Sequence, residues 1–169
     1  MDVPLRAGPV LVGVYPGQDT AVVREAAHLA GSLGTPLLCA FVALDSYLTE
    51  WERSELRDAA SLHPTDIDAD DDRVALDLAG AIVQTLQGAT LAEGWSLRLL
   101  AGDPAHALAR VAAEADARLI VVGTHGRGAG HALEAWLSGS VAMSLSRDQL
   151  RPVVVVPVGR AERSSATLG

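Results

Sequence analysis

Five short apolar runs punctuate the chain, VLVGV, PLLCAFVAL, WSLRLL, RLIVVG and PVVVVPV, and most show no alternation of apolar and polar residues. A strand that is apolar at every position has to be covered on both faces, which is the condition of a parallel sheet sandwiched between helices. The stretches between the runs have helical period. Val22, Val23, Ala26, Ala27, Leu29, Ala30 and Leu33 recur at three- and four-residue spacing, with Asp19 or Thr20 placed to cap the start and Gly34 after the end. Asp103 and Pro104 form a cap-then-first-turn pair ahead of Leu108, Val111, Ala112 and Ala115. A further helix is expected from about Asp72 to about Leu86, and another through Leu133, Trp136, Leu137, Val141 and Leu145.

The predicted class is α/β: a three-layer sandwich with a five-stranded parallel sheet and helices on both faces, joined by right-handed crossovers. Only Trp95-Ser96-Leu97-Arg98-Leu99 alternates cleanly, so this third strand is expected at an edge with one side partly wet. At 169 residues the chain suits one domain, read here as residues 1–158, followed by a polar tail, 159–169, expected to be mobile.

Composition removes several functions. All thirteen basic residues are arginine, so neither a Schiff-base lysine nor a P-loop lysine exists. A net charge of -8 speaks against nucleic acid and anionic membranes as partners, and no apolar run approaches the ~20 residues of a membrane span. The N-terminus lacks the apolar core of a signal peptide and Cys39 has no second cysteine, so a cytoplasmic protein is expected, with Cys39 a small core residue. The acidic run Asp66, Asp68, Asp70, Asp71, Asp72 is not read as a metal site. A calcium loop starting at Asp66 would need Gly where Asp71 stands and Glu where Asp77 stands. The connection that contains it, Leu44 to Asp72, is long enough to hold a short helix or lid built on Tyr47, Leu48, Trp51 and Leu56.

Chemistry concentrates in VVGTHGRGAGHALEAWLSGS, residues 121–140. Gly123 closes the fourth strand, while Gly126, Gly128 and Gly130 permit the positive φ angles and close amide approach that anion binding uses. Gly139 and Ser140 add amides and a hydroxyl if they open a helix. Phosphate is the natural guest, with Arg127 supplying a planar, bidentate charge. His125 has no partners with which to form a catalytic triad, and no nucleophile, base or metal cluster is laid out for efficient catalysis.

The succession AGDPAHALARVAAEADARLIVVGTHGRG, LSGSVA and RPVVVVPV resembles the C-terminal half of the universal stress protein family, and VLVGVY with the alanine-rich helix after it is similar to that family's start. The resemblance implies strand order 3-2-1-4-5 and an adenine nucleotide, ATP or AMP with or without Mg2+, lying over strands one and four. Through the motif Gly-x2-Gly-x9-Gly-Ser/Thr it implies phosphates against Gly123, Gly126, Gly139 and Ser140, with His125 beside the ribose and phosphates; Val122 and Arg127 join the expected cofactor-binding set. It also implies Val141 and Ala142 at the helix start and Val42 bordering adenine. Two departures stand out: twelve residues separate Gly126 from Gly139, and Tyr15 occupies the end of strand one, where nucleotide-binding members carry aspartate. Tyr15 either stacks on the base or fills the pocket.

Dimerisation through the uncharged last strand, Val153 to Val156, is expected, and is common among the proteins the chain resembles. Two functions follow. One is a nucleotide-binding stress-response dimer that hydrolyses ATP very slowly if at all; the other is a nucleotide-free dimeric interaction protein. An adenylating enzyme is disfavoured, because the first strand lacks a Ser-Gly-Gly phosphate loop.

Overall fold

The protein, as a computed structural model, is described over residues 7–43, 69–124 and 140–158. The elements run β1 (Val10–Val14), α1 (Thr20–Leu33), β2 (Leu37–Ala43), α2 (Ala69–Leu86), β3 (Trp95–Ala101), α3 (Pro104–Glu114), β4 (Leu119–Gly123), α4 (Ser140–Asp148) and β5 (Val153–Val156). The strands form one parallel sheet in the order β3-β2-β1-β4-β5. This is the predicted α/β architecture and strand order.

Two cores flank the sheet, and the strand period of two decides which side chain enters which. On one face Val10, Val12, Val14, Leu37, Cys39, Leu97 and Val121 pack beneath Val22, Val23, Ala26, Ala27 and Ala30 of α1 and Leu78, Ala79, Ile82 and Leu86 of α2. On the other, Leu11, Leu38, Ala40, Val42, Ile120 and Val122 meet Leu108, Val111 and Ala112 of α3 and Val141 and Leu145 of α4. Each fully buried aliphatic side chain of this kind contributes about 1.5–3 kcal/mol through removal from water.

The helix signals operate as their chemistry requires. The Asp19 carboxylate accepts from the Ala21 N–H at 2.8 Å, the Asp103 carboxylate accepts from the His106 N–H at 2.9 Å, and Pro104 occupies the first turn of α3. Helix α2 begins at Ala69, inside the acidic run and three residues before the expected start. Negative charge is favoured in the first turn of a helix, so an acidic run can be helical rather than merely precede the helix. Of the helix expected around residues 133–145, Val141 and Leu145 lie buried in α4, and Leu133, Trp136 and Leu137 fall outside the described residues. The lid expected within residues 44–68 and the tail at 159–169 also fall outside them.

β3 is an edge strand with the expected wet side. Leu97 enters the α1/α2 core, while Arg98 on the opposite face meets Glu114 of α3 at 3.6 Å. At the other edge, β5 is fastened at its start by Arg151, which donates through Nε to the Ala117 carbonyl at 3.1 Å and pairs with Asp116 at 3.6 Å. No helix among the described residues is long and apolar enough to cross a membrane.

Cys39 is fully buried under α1 and α2, and burial pushes its thiol up to about 12. The reactive thiolate is therefore suppressed throughout the neutral and mildly alkaline range. Native protein at pH 8.5 should resist iodoacetamide over hours and be alkylated to one equivalent in urea, as read by intact mass. Rapid labelling of the native chain would contradict this packing.

Candidate functional site

The carboxyl ends of the strands diverge between β1 and β4. The chain leaves β1 through α1 toward β2 on one face, and leaves β4 through α4 toward β5 on the other, so the two connections part at the kind of switch point where open α/β sheets form their ligand crevice. Pairing reflects the parting. β1 and β4 stay in register through Val12 and Val121 and no further, whereas β4 and β5 remain paired to Gly123 and Val156.

The β1–α1 connection is a tight turn with Pro16 second and Gly17 third; Gly17 has φ +77°, and the Gln18 N–H donates to the Tyr15 carbonyl at 3.2 Å. This turn folds Gln18 back over the strand it has just left. The Gln18 side-chain amide donates to the Gly13 carbonyl at 3.2 Å, beyond the last β1–β4 pair. Its oxygen, Oε1, is buried and has no hydrogen-bond partner. An unpaired buried acceptor costs about 1–3 kcal/mol.

The predicted site residues fall into three groups. Tyr15, Val42, Val122 and Val141 are brought together, each buried in the core on the α3/α4 face, with Ala142 packed against that cluster. Tyr15 is 5% exposed, so stacking on a base would require its ring to leave this packing; burial, then the Asp19 carboxylate, push its phenol up. Gly123 lies across the sheet from them. A Cβ there would sit 2.8 Å from Val22 Cγ2 and 3.6 Å from Gln18 Nε2, so its bareness admits α1 and the Gln18 amide. Ser140 stands at the start of α4, and His125, Gly126, Arg127 and Gly139 lie outside the described residues.

Electrostatics narrows where an anion can bind. The first turns of α1 and α3 also open at the carboxyl side of the sheet, but each is occupied by its own carboxylate, Asp19 and Asp103. An incoming phosphate would meet negative charge at both. Helix α2 starts on that side too, with the acidic sequence Asp70-Asp71-Asp72, and the connection from β4 to α4 is the one that carries the glycines and Arg127. Among the described residues no three His, Cys, Asp or Glu side chains converge as a metal site.

Gln18 was not singled out by its sequence. The signal was present in Pro16-Gly17, because a turn of that type returns its fourth residue to the strand before it.

The model of the universal stress protein family matches residues 7–157. A universal stress protein from Archaeoglobus fulgidus, solved in complex with dAMP, is 21% identical, with TM-score 0.60 over 89% of this chain and 98% of that one. UspA from Lactobacillus plantarum is 23% identical, with TM-score 0.59 over 89% and 98%. A universal stress protein in complex with cAMP is 19% identical, with TM-score 0.58 over the same shares. Comparison of the sequence with curated proteins gave no match.

If Gly123 is bare in order to seat Val22, then Gly123→Ala should cost about 1–3 kcal/mol of stability by overpacking. The same change should cost distinctly less in a Val22→Ala background, giving a favourable coupling in a double-mutant cycle followed by urea unfolding. Additive losses would contradict the contact.

Proposed function

The chain belongs to the universal stress protein family, and from that premise we propose that it binds an adenine nucleotide, ATP or AMP, in the β1/β4 crevice and serves as a regulatory or protective dimer in the stress response. The observation that carries the reading is the crevice itself. It lies at the topological switch, where the connection from β4 carries the glycines and Arg127, while α1 and α3 are capped by Asp19 and Asp103 and the sequence of α2 opens with Asp70 to Asp72. Relatives of the same fold have been solved with dAMP and with cAMP.

In this reading the phosphates lie against Gly123, Gly126, Gly139 and Ser140, with Arg127 supplying positive charge, His125 beside the ribose and phosphates, and Mg2+ accompanying ATP. Val42, Val122, Val141 and Ala142 form the apolar wall behind the nucleoside. Among the described residues no metal cluster is arranged for rapid turnover, and in this reading occupancy rather than hydrolysis carries the signal.

A second reading, a nucleotide-free interaction dimer, is favoured by one observation: Tyr15 is buried in the core where nucleotide-binding members carry aspartate. The two readings part in a thermal melt. ATP with Mg2+ at 100 times its dissociation constant adds about 2.7 kcal/mol, which for a chain of this size raises Tm by roughly 5–11 °C. Gly126→Val should abolish the shift. Tyr15→Ala should weaken binding if the ring contacts the base. Binding that appears only in Tyr15→Ala would make the ring a plug and favour the second reading.

Dimerisation is assigned to β5. The strand is at the sheet edge, uncharged, and leaves Val155 44% exposed. A second copy paired antiparallel would satisfy its free backbone groups and cover the valines. Val154→Arg would bury two unpaired charges near the two-fold axis and should yield a monomer by sedimentation at micromolar concentration. A dimeric variant, or a monomeric parent, would remove this assignment.

A further inference from the structure

Three buried side-chain atoms among the described residues have no hydrogen-bond partner: Thr35 Oγ1, Arg118 Nε and Gln18 Oε1. Thr35 precedes β2 and Arg118 precedes β4, so both lie toward the amino ends of the strands. Gln18 alone of the three stands at the carboxyl ends, beside the point where β1 and β4 stop pairing. Its amide nitrogen is held by the Gly13 carbonyl of β1 and lies 3.6 Å from where a Cβ on Gly123 of β4 would be, so the group spans the gap where the two strands stop pairing.

The orientation of the carboxamide is fixed by that contact. Gly13 offers an acceptor, so nitrogen must face it and oxygen must face away; reversing the amide would set two acceptors against each other. The group is thus a carboxamide held by one hydrogen bond, with an acceptor oxygen that lacks a partner. Tyr15 puts its ring into the core on the α3/α4 face and has no carboxylate with which to accept from a nucleoside.

We propose that Gln18 is a ligand-reading residue, whose carboxamide oxygen accepts a hydrogen bond from a donor on the nucleoside bound in the β1/β4 crevice. This rests on the nucleotide reading above and adds its specificity. Two nucleoside groups supply such a donor, the exocyclic amine of adenine and a ribose hydroxyl. Both are neutral donors that a carboxamide oxygen accepts, and a guanine or inosine ring edge, which carries an acceptor in place of the amine, would be disfavoured in the first case.

The test is calorimetric titration of ATP, ITP, 2′-deoxy-ATP and 3′-deoxy-ATP into the full chain and into Gln18→Met, which keeps the volume and removes the acceptor. The parent should bind ATP, and Gln18→Met should bind it about tenfold more weakly, the size of one hydrogen bond. The loss should be smaller, by the size of that hydrogen bond, for the one analogue that lacks the donor being read: ITP if the amine is read, a deoxynucleotide if a hydroxyl is. Removing the bond to Gly13 acts on the free protein and weakens all four ligands alike, so the difference between ligands isolates the reading role. Gln18→Ala serves as the second variant should Gln18→Met fail to fold. An equal change for all four ligands, as a buried water on Oε1 would give, or no change at all, overturns the role of Gln18 while leaving the nucleotide site standing. A parent chain that binds none of the four overturns both.

Discussion

The structure depends on β1 having a strand on each edge and a helical layer on each face. Val10, Leu11, Val12 and Val14 expose no surface at all, and β1 is paired to β2 along its whole length but to β4 only through Val12. A central strand that loses one neighbour two residues before its end leaves backbone groups to be satisfied by something other than the ladder. Gln18 supplies the donor for Gly13. The crevice is thus a property of the parallel sheet, created where α1 and α4 draw their strands to opposite sides, and it exists before any ligand is considered.

The edge strand and the crevice meet at one residue. Thr124, directly after Gly123, donates its N–H to the Val156 carbonyl and accepts from the Val158 N–H through its hydroxyl at 2.8 Å. Val158 then folds back into the α1/α2 core, with Cγ2 3.8 Å from the missing Cβ of Gly123. The start of the glycine-rich connection and the end of β5 are therefore one bonded unit. Arg151 fixes the opposite end of the same strand to Asp116 and Ala117, so β5 is held at both ends although one of its edges is unpaired.

Much of this was legible in the sequence because burial on two faces leaves a direct trace. The runs at Val10–Val14, Leu37–Ala43 and Leu119–Gly123 are apolar for the reason the sequence suggested, and the polar alternation at Ser96 and Arg98 marked the edge. Asp19 and Asp103 announced their helices through the chemistry of the cap itself. What composition and spacing do not carry is the direction of approach. Gly123 belongs to a phosphate-like pattern in sequence, yet the neighbour its missing Cβ admits is Val22, more than a hundred positions away along the chain. Gln18 reads as an ordinary loop residue until the turn at Pro16-Gly17 brings it back to Gly13, and only the loss of β1–β4 pairing gives that return a purpose.

The helix termini carry the last step. Dipoles of α1, α2, α3 and α4 all point their positive ends toward the carboxyl side of the sheet, and each is worth typically 0.3–1 kcal/mol to a nearby anion. Two of them are already committed: the carboxylates of Asp19 and Asp103 lie on the first-turn amides of α1 and α3, stabilising those helices and repelling a second negative group. The arginine nearest the crevice in sequence, Arg127, falls in the connection between β4 and α4, and Ser140 follows at the head of α4. A chain with no lysine and a net charge of -8 has few ways to hold a phosphate. Of the four helix starts at that side among the described residues, two are capped by Asp19 and Asp103 and a third, α2, opens with the sequence Asp70-Asp71-Asp72, whereas the sequence leading into the fourth, α4, carries the glycines and Arg127.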